Sequence, residues 1–250
     1  MNGVVLVIGG SRYYHGAPLF CLATASQIVD LVLFYSPYEE NTEIARNYLR
    51  KLKEELAEFI AIEKHHIQWA VEKADSILIG PGLWDSKANK KFVDGIIKKY
   101  SGVKKFVLDA DAVKLVNPRL LNENCVLTPH SREFELLFKM KPTPGNAVKA
   151  AKQHDCIILL KGKKDVITDG KKVFVVKGGN AGLTKGGTGD VLSAMLASFA
   201  CKNPLLLSAR AASFTNKLAG DLLFKEKGFN YNASDLYKKI PFAIKKARGL

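Results

Sequence analysis

Short apolar, β-branched runs recur along this chain with helix-spaced segments between them, and that alternation constrains the fold more than any other feature. The runs are GVVLVIG (3–9), LVLFY (31–35), SILIG (76–80), KKFVLD (104–109), NCVLT (124–128) and DCIILLKG (155–162). They are continuously apolar, as strands covered on both faces must be. Residues 41–59, 64–74, 87–100, 144–153, 190–200 and 204–224 carry Leu, Ala, Lys and Glu at helical spacing, which predicts helices there. Pro144 and Pro204 sit near helix starts, where a missing N–H costs nothing. Residues 165–168 and 172–176, joined by Asp169-Gly170, predict a hairpin. The expected fold is α/β, with an open, mostly parallel sheet flanked by helices on both faces. Such sheets bind ligands outside the carboxyl ends of their strands. Asp109, Lys161 and a glycine-rich loop all fall at such ends. No repeat, low-complexity segment or linker interrupts the pattern, so residues 1–250 read as a single domain.

Composition narrows the function classes. With 250 residues and 47% hydrophobic content, the chain can build one substantial core. No window approaches about 18 uninterrupted apolar residues, so no membrane span is expected. The start, MNGVVLVIGGS, lacks a basic n-region and is not expected to be a signal peptide. Cys21, Cys125, Cys156 and Cys201 are far apart, without zinc spacing, and lie in apolar surroundings. Buried free thiols in a reducing cytoplasm are the expectation. The net charge of +14 favours anionic partners. The lysines are dispersed, and no basic stripe is interleaved with aromatic residues as a single-strand binder needs. Anionic metabolites therefore fit better than a specific nucleic acid.

The segment Gly178 to Val191, GGNAGLTKGGTGDV, is where chemistry concentrates. It holds five glycines from Gly178 to Gly187 and a sixth at Gly189, then Asp190 and an apolar helical pattern. Glycines let backbone N–H groups converge, and the following helix adds its positive N-terminal end. The result is an anion cradle with one carboxylate at its lip, suited to a nucleotide phosphate beside a proton acceptor. It is not a Walker A loop, because Thr188 stands where the lysine should follow Gly187. It is not a dinucleotide fingerprint, because position 192 is Leu192.

Other motifs stand at strand ends. GPGLW, Gly80 to Trp84, allows close approach of a ligand or simply makes a tight turn. In LDADAV, Asp109 and Asp111 can hold a metal or hydroxyls, or one of them can cap the next helix. In TPHSREFELL, Ser131 is the expected N-cap, with Glu133 in the first turn and His130 open to a functional role. Lys161, ending an apolar strand, needs an anion or a path to solvent. His15, His65, His66 and His154 have no partner at ligand spacing and are expected to be structural or exposed.

Taken in order, these motifs resemble the ribokinase-like superfamily, and specifically the NAD(P)H-hydrate dehydratase family. The matching segments are GGSRYYHGAP (9–18), GPGL (80–83), LDAD (108–111), TPH with Glu133, LKG (160–162) and GNAGLTKGGTGDVL (179–192). The resemblance implies repair of hydrated NADH or NADPH, driven by ADP or ATP, with Mg²⁺ offsetting phosphate charge through ligands that the motifs do not name. It implies Asp190 as the catalytic carboxylate and the amides of Gly187, Thr188 and Gly189 around the transferring phosphoryl group. Lys161, Gly162, Lys163, Lys164 and Asp165 would line the nucleotide site. Ala17, Gly82 and His130, with Asp190, would touch the damaged dinucleotide. It also implies a cytoplasmic homo-oligomer, a tetramer or larger.

Some positions depart from the family pattern. Residues 25–31 read ASQIVDL where an arginine and a GAG-like turn are usual, and Arg132 follows Ser131 where Gly commonly precedes Glu. Asp165 stands where threonine is frequent, and Lys185 where a small or hydroxyl residue is usual; Lys185 is a candidate extra phosphate contact. The competing reading on the same fold is a kinase of a small alcohol, such as a vitamin precursor or sugar. A non-catalytic nucleotide- or nucleic-acid-binding protein rests on the +14 charge alone.

Overall fold

The computed structural model describes residues 2–44 and 58–249. Its nine strands form one sheet: β1 (Val4–Ile8), β2 (Leu31–Tyr35), β3 (Ile60–Ala61), β4 (Ser76–Ile79), β5 (Lys105–Leu108), β6 (Cys125–Leu127), β7 (Ile157–Leu160), β8 (Asp165–Thr168) and β9 (Val173–Val176). The order across the sheet is β3-β2-β1-β4-β5-β6-β7-β8-β9. Pairing is parallel from β3 to β7 and antiparallel at β8 and β9, as the Asp169-Gly170 turn requires. β1 has β2 on one side and β4 on the other, so chain order reverses between β1 and β4. That reversal is a topological switch point, where crevices open beyond the carboxyl ends.

Residues 39–44 are helical, and the further helices are α1 (Gly16–Ala25), α2 (Ile67–Lys73), α3 (Lys87–Tyr100), α4 (Asp111–Leu115), α5 (Ser131–Phe138), α6 (Pro144–Gln153), α7 (Thr188–Ala200), α8 (Leu205–Lys227) and α9 (Ala233–Ala247). The pleat sends alternate residues to opposite faces. Val5 and Val7 of β1 join a core with α1, α7, α8 and α9, whereas Leu6 and Ile8 join a second core with α2 to α6. Both faces are therefore buried, which is why the central runs read as continuously apolar. All four cysteines are buried free thiols. No helix among the described residues is long and apolar enough to cross a membrane.

Of the expected 41–59 helix, residues 41–44 are helical, 45–57 lie outside the described residues, and 58–59 are irregular chain leading into β3. The helices α1, α4 and α9 were not anticipated by periodicity. Segment 64–74 divides into a 3₁₀ turn, Lys64–His66, and α2.

Candidate active site

The site is assembled from the carboxyl ends of β5, β6 and β7 and the N-terminus of α7. β5 ends at Leu108, and the chain then passes through Ala110 at φ 48° before entering α4. A non-glycine residue in that region is strained. The turn leaves Asp109 inside, with a side chain only 2% exposed, and places Asp111 in the first turn of α4, 2.8 Å from Lys114. Neither aspartate caps α4, one of the two uses open to them from sequence: the N-cap position is Ala110, and no side chain caps that end.

Lys161 follows β7, and its backbone N–H donates to Pro129 O at 2.8 Å, pinning the β7 end to the turn after β6. Its Nζ lies 2.9 Å from Asp109 Oδ1. The hydroxyl of Thr128 donates to the same carboxylate oxygen at 2.7 Å. Burial pushes the Asp109 carboxyl up, but the Lys161 ammonium and these hydrogen bonds outweigh it and hold Asp109 below the usual carboxylate range. Burial likewise pulls the Lys161 ammonium down, and Asp109, Glu133 and Asp190 together raise it above its ordinary value. Its side chain remains 20% exposed. The ammonium also approaches α7, since a Cβ added to Gly189 would sit 3.6 Å from Nζ.

Asp190 occupies the first turn of α7 and is half-buried. Its carboxyl is pushed up to about 7, first by burial and then by Asp109, with Lys161 opposing and Asp111 and Glu133 adding to the rise. A carboxyl poised near neutrality beside a helix N-terminus can accept a proton at physiological pH. Behind it, Cys21 donates its S–H to Asp190 O at 3.5 Å, and burial keeps that thiol protonated.

The loop that delivers α7 is tied down at several points. Asn180 accepts from Gly182 N at 3.0 Å and starts a 3₁₀ turn, Ala181–Thr184. Tyr231 O–H donates to Asn180 Oδ1 at 2.8 Å, and Asn180 Nδ2 donates to Gly220 O at 2.8 Å. Gly179 N donates to Asp221 at 3.0 Å. The Thr188 hydroxyl donates to Leu183 O and Lys185 O at 2.6 and 2.7 Å. Gly187 is the α7 N-cap at φ 88°, and a Cβ there would meet the Phe20 ring at 2.6 Å. Only glycine satisfies both the left-handed backbone and that contact. Lys185 does not project as a phosphate contact: its ammonium donates to Phe229 O and Tyr231 O at 2.5 and 2.7 Å.

His130, not Ser131, is the N-cap of α5. Its Nδ1 accepts from Glu133 N at 3.3 Å, and Glu133 accepts from His130 N at 2.9 Å, closing a capping box. Glu133 is buried, and burial, then Asp109, raise its carboxyl against the pull of Lys161 and His130. The loop Gly162 to Lys164 is exposed, but Asp165 turns inward. Its carboxylate lies 3.3 Å from Lys217 Nζ, accepts from Ser213 O–H at 2.8 Å, and accepts from Gly162 N at 2.9 Å. Lys217 also donates to Gly162 O at 3.1 Å, so the loop rests on a buried ion pair. Ala17 and Gly82 come together: a Cβ on Gly82 would lie 3.2 Å from that of Ala17.

The structure thus brings Lys161, Gly189 and Asp190 together, and separately Ala17 with Gly82. The motif-based reading did not single out Thr128, Asn180, Ser213, Lys217, Asp221 or Tyr231. Among the described residues, no group of three or more His, Cys, Asp or Glu side chains is placed to hold a metal ion. Asp109 spends its charge on Lys161, which explains why the acidic residues here do not form a cage.

Comparison with known proteins identifies the family of the chain. Residues 5–242 match the family described as NAD(P)H-hydrate dehydratase. A bifunctional NAD(P)H-hydrate repair enzyme of Methanocaldococcus jannaschii is 37% identical over 249 residues, covering 98% of this chain and 48% of that protein. The chain spans about half the length of the first curated relatives it matches. An ADP-dependent (S)-NAD(P)H-hydrate dehydratase of Nitrosopumilus maritimus is 33% identical, with 98% of this chain and 89% of that protein covered. Among solved structures, the ADP/ATP-dependent NAD(P)H-hydrate dehydratase of Bacillus subtilis, co-crystallised with ATP/Mg²⁺, superposes with a TM-score of 0.81 at 23% identity, covering 98% and 90% of the two chains. A hydroxyethylthiazole kinase of Pyrococcus horikoshii shares the ribokinase-like fold at a TM-score of 0.64 and 17% identity, covering 96% and 87%.

Proposed function

Because the chain belongs to the NAD(P)H-hydrate dehydratase family, we propose that it dehydrates hydrated NADH or NADPH at the expense of ADP or ATP. The observation that carries this reading is Asp190, its carboxyl pushed up to about 7 at the N-terminus of α7. Asp190 takes the proton of the substrate hydroxyl, and the oxygen attacks the terminal phosphoryl group. One P–O bond forms as the bond to the donor nucleotide breaks. The amides of Gly187, Thr188 and Gly189 and the helix N-terminus stabilise the charge on that phosphoryl group. Phosphate then leaves with the C–O electrons, pushed out by the ring nitrogen lone pair, and loss of a proton from the adjacent ring carbon restores the dihydronicotinamide. Lys161 offers the phosphates a cation already held in place by Asp109.

Lys161 to Asp165 form the nucleotide wall in this reading, and Ala17, Gly82 and His130 touch the dinucleotide. Mg²⁺ would offset the charge of the nucleotide phosphates, through ligands that the motifs do not name. The names of the archaeal relatives favour ADP as donor and the S epimer as substrate. Residues 1–250 act as one domain in the cytoplasm, where buried thiols stay reduced. Exposed Leu207, Phe214, Phe229 and Phe242 suit a homo-oligomer, a tetramer or larger.

The test is a recovery assay with hydrated NADH, Mg²⁺ and ADP or ATP, following the return of dihydronicotinamide absorbance. Wild-type protein is expected to give nucleotide-dependent recovery, and Asp190→Ala none, with nucleotide still bound. No recovery from folded wild-type protein would refute the reading and turn attention to small-alcohol acceptors.

A further inference from the structure

Three exposed aromatic rings stand together at the topological switch point. Tyr13 and Tyr14 follow β1 and are 67% and 51% exposed; Trp84 follows β4 and is 43% exposed. The Trp84 ring lies 5.5 Å from that of Tyr13, tilted by 58°, and 6.1 Å from that of Tyr14, nearly parallel at 27°. Clustered aromatic surface left in water marks a site of contact.

The loops beneath these rings are fixed. Gly10 N donates to Pro81 O at 2.8 Å, joining the two strand ends. Tyr14 N donates to Ser11 Oγ at 3.3 Å, and Asn41 Nδ2 donates to Ser11 O at 3.0 Å. Asn89 Nδ2 donates to Trp84 O at 2.7 Å, anchoring that residue to α3. Between the rings Gly82 takes φ 68°, and a Cβ there would sit 2.8 Å from Tyr14 O. Any other side chain would collide with the backbone under the rings.

α1 ties this cluster to the backbone of Asp190. Ala17 packs beside Gly82, and Cys21, four residues on, reaches Asp190 O at 3.5 Å. Residues four apart share a helix face and stand about 6 Å apart along its axis. The ring cluster and the start of α7 thus lie along one side of α1.

Resting on the activity proposed above, we propose that Tyr13, Tyr14 and Trp84 form a stacking platform for the adenine of the dinucleotide. The hydrated nicotinamide end is saturated at the carbon bearing the hydroxyl and must present that hydroxyl to Asp190. Adenine is the part of the substrate with a flat π face, and indole and phenol rings stack on such faces. The platform sets affinity for the dinucleotide and leaves the chemical step to Asp190.

The experiment compares wild type with Trp84→Ala and Tyr13→Ala. KM for hydrated NADH is expected to rise about tenfold or more, with kcat, the KM of the nucleotide donor and the unfolding midpoint unchanged. Trp84→Phe, which keeps a ring, should recover most of the affinity. The hydrate of reduced nicotinamide mononucleotide, which lacks adenine, should show the same KM with wild type and Trp84→Ala. Binding of intact NADPH at saturating ADP reads the platform without turnover, and should weaken about tenfold in Trp84→Ala. That measurement decides the proposal even where wild type gives no recovery, the outcome that would sink the activity itself. Unchanged NADPH binding in Trp84→Ala would overturn the platform. So would equal losses on the two hydrates, or a smaller assembly by light scattering, which would make the cluster an interface between copies.

Discussion

Replacing Lys161 by methionine keeps the stem of the side chain and removes its ammonium. In the folded protein that ammonium lies 2.9 Å from Asp109, whose side chain is 2% exposed and otherwise holds the Thr128 hydroxyl at 2.7 Å. Removing one partner of a buried pair costs about 3–5 kcal/mol, because the remaining charge is left uncompensated. Lys161→Met should therefore lose about 3 kcal/mol or more at pH 8. With a urea slope of about 1–3 kcal/mol/M, the midpoint falls by roughly 1–3 M. The pH dependence identifies the cause. In wild type the Asp109 carboxyl is held below its ordinary value, so its stabilisation is present above about pH 4 and is lost as pH falls through the folded value. In the variant only the Thr128 and Ser193 hydroxyls oppose burial, which raises that carboxyl, so the penalty grows as pH rises from about 4. The two stability curves should converge in acid, and Lys161→Met/Asp109→Asn should regain much of the loss at pH 8. Nucleotide affinity should fall as well. A loss below about 1 kcal/mol, the range of exposed pairs, with a pH profile parallel to wild type, would show that this pair is effectively solvated and would refute the reasoning.

Three further outcomes follow from the same geometry. With the Asp190 carboxyl at about 7, kcat/KM for the hydrate should rise tenfold per pH unit below that value and level off above it; a flat profile from pH 5 to 8 would exclude Asp190 as the base. That raised carboxyl costs folding stability as pH rises from about 4 to 7. Asp190→Asn should therefore lose turnover yet be about 1–2 kcal/mol more stable at pH 8, after allowing for partial exposure to water, with no difference in urea midpoint below about pH 4. Lys217→Met leaves Asp165 buried with Ser213 and Gly162 alone. It should cost about 3 kcal/mol and speed hydrogen exchange at Gly162 to Lys164, and unchanged exchange there would show that the ion pair does not hold the loop.

The fold was legible because strands covered on both faces are apolar without interruption, and β1, β2 and β4 to β7 announce themselves that way. The β8–β9 hairpin was legible from Asp169-Gly170. The opposite case is α1, whose half facing the sheet is packed against α7 as well: buried Cys21, Leu22, Ala23, Thr24 and Ala25 run consecutively and leave no polar stripe to read. α9 does carry a sequence signal, the Asn232–Asp235 capping box, but Pro241 inside it reads as a stop. In the site, the glycine loop pointed to Asp190, and the cost of a lysine ending an apolar strand pointed to Lys161. The partner of Lys161 is 52 positions away, and only the order of β5, β6 and β7 in the sheet makes them neighbours. The α5 cap was misplaced by one residue because serine outranks histidine in capping preference, whereas here the imidazole Nδ1 supplies the acceptor.

The central arrangement is one cation among several carboxylates, which share it unequally. Asp109 receives the short contact, so it stays ionised and spends its charge on Lys161. Asp190 feels the same ammonium less than it feels burial and the negative charge of Asp109, so it keeps its proton up to near neutrality. Environments that push two carboxyls apart assign them different roles. In the proposed reaction Asp109 is then a positioning residue for the lysine, and Asp190 is the group that exchanges a proton. The assignment has a signature that a purely structural pair would lack. Removing the ammonium takes away the attraction opposing the rise at Asp190, so the rising limb of the rate–pH profile moves to higher pH. Neutralising Asp109 removes a repulsion and releases the ammonium toward Asp190, so the limb moves to lower pH. Opposite displacements from the two halves of one ion pair can arise only if both act on Asp190 through its proton affinity.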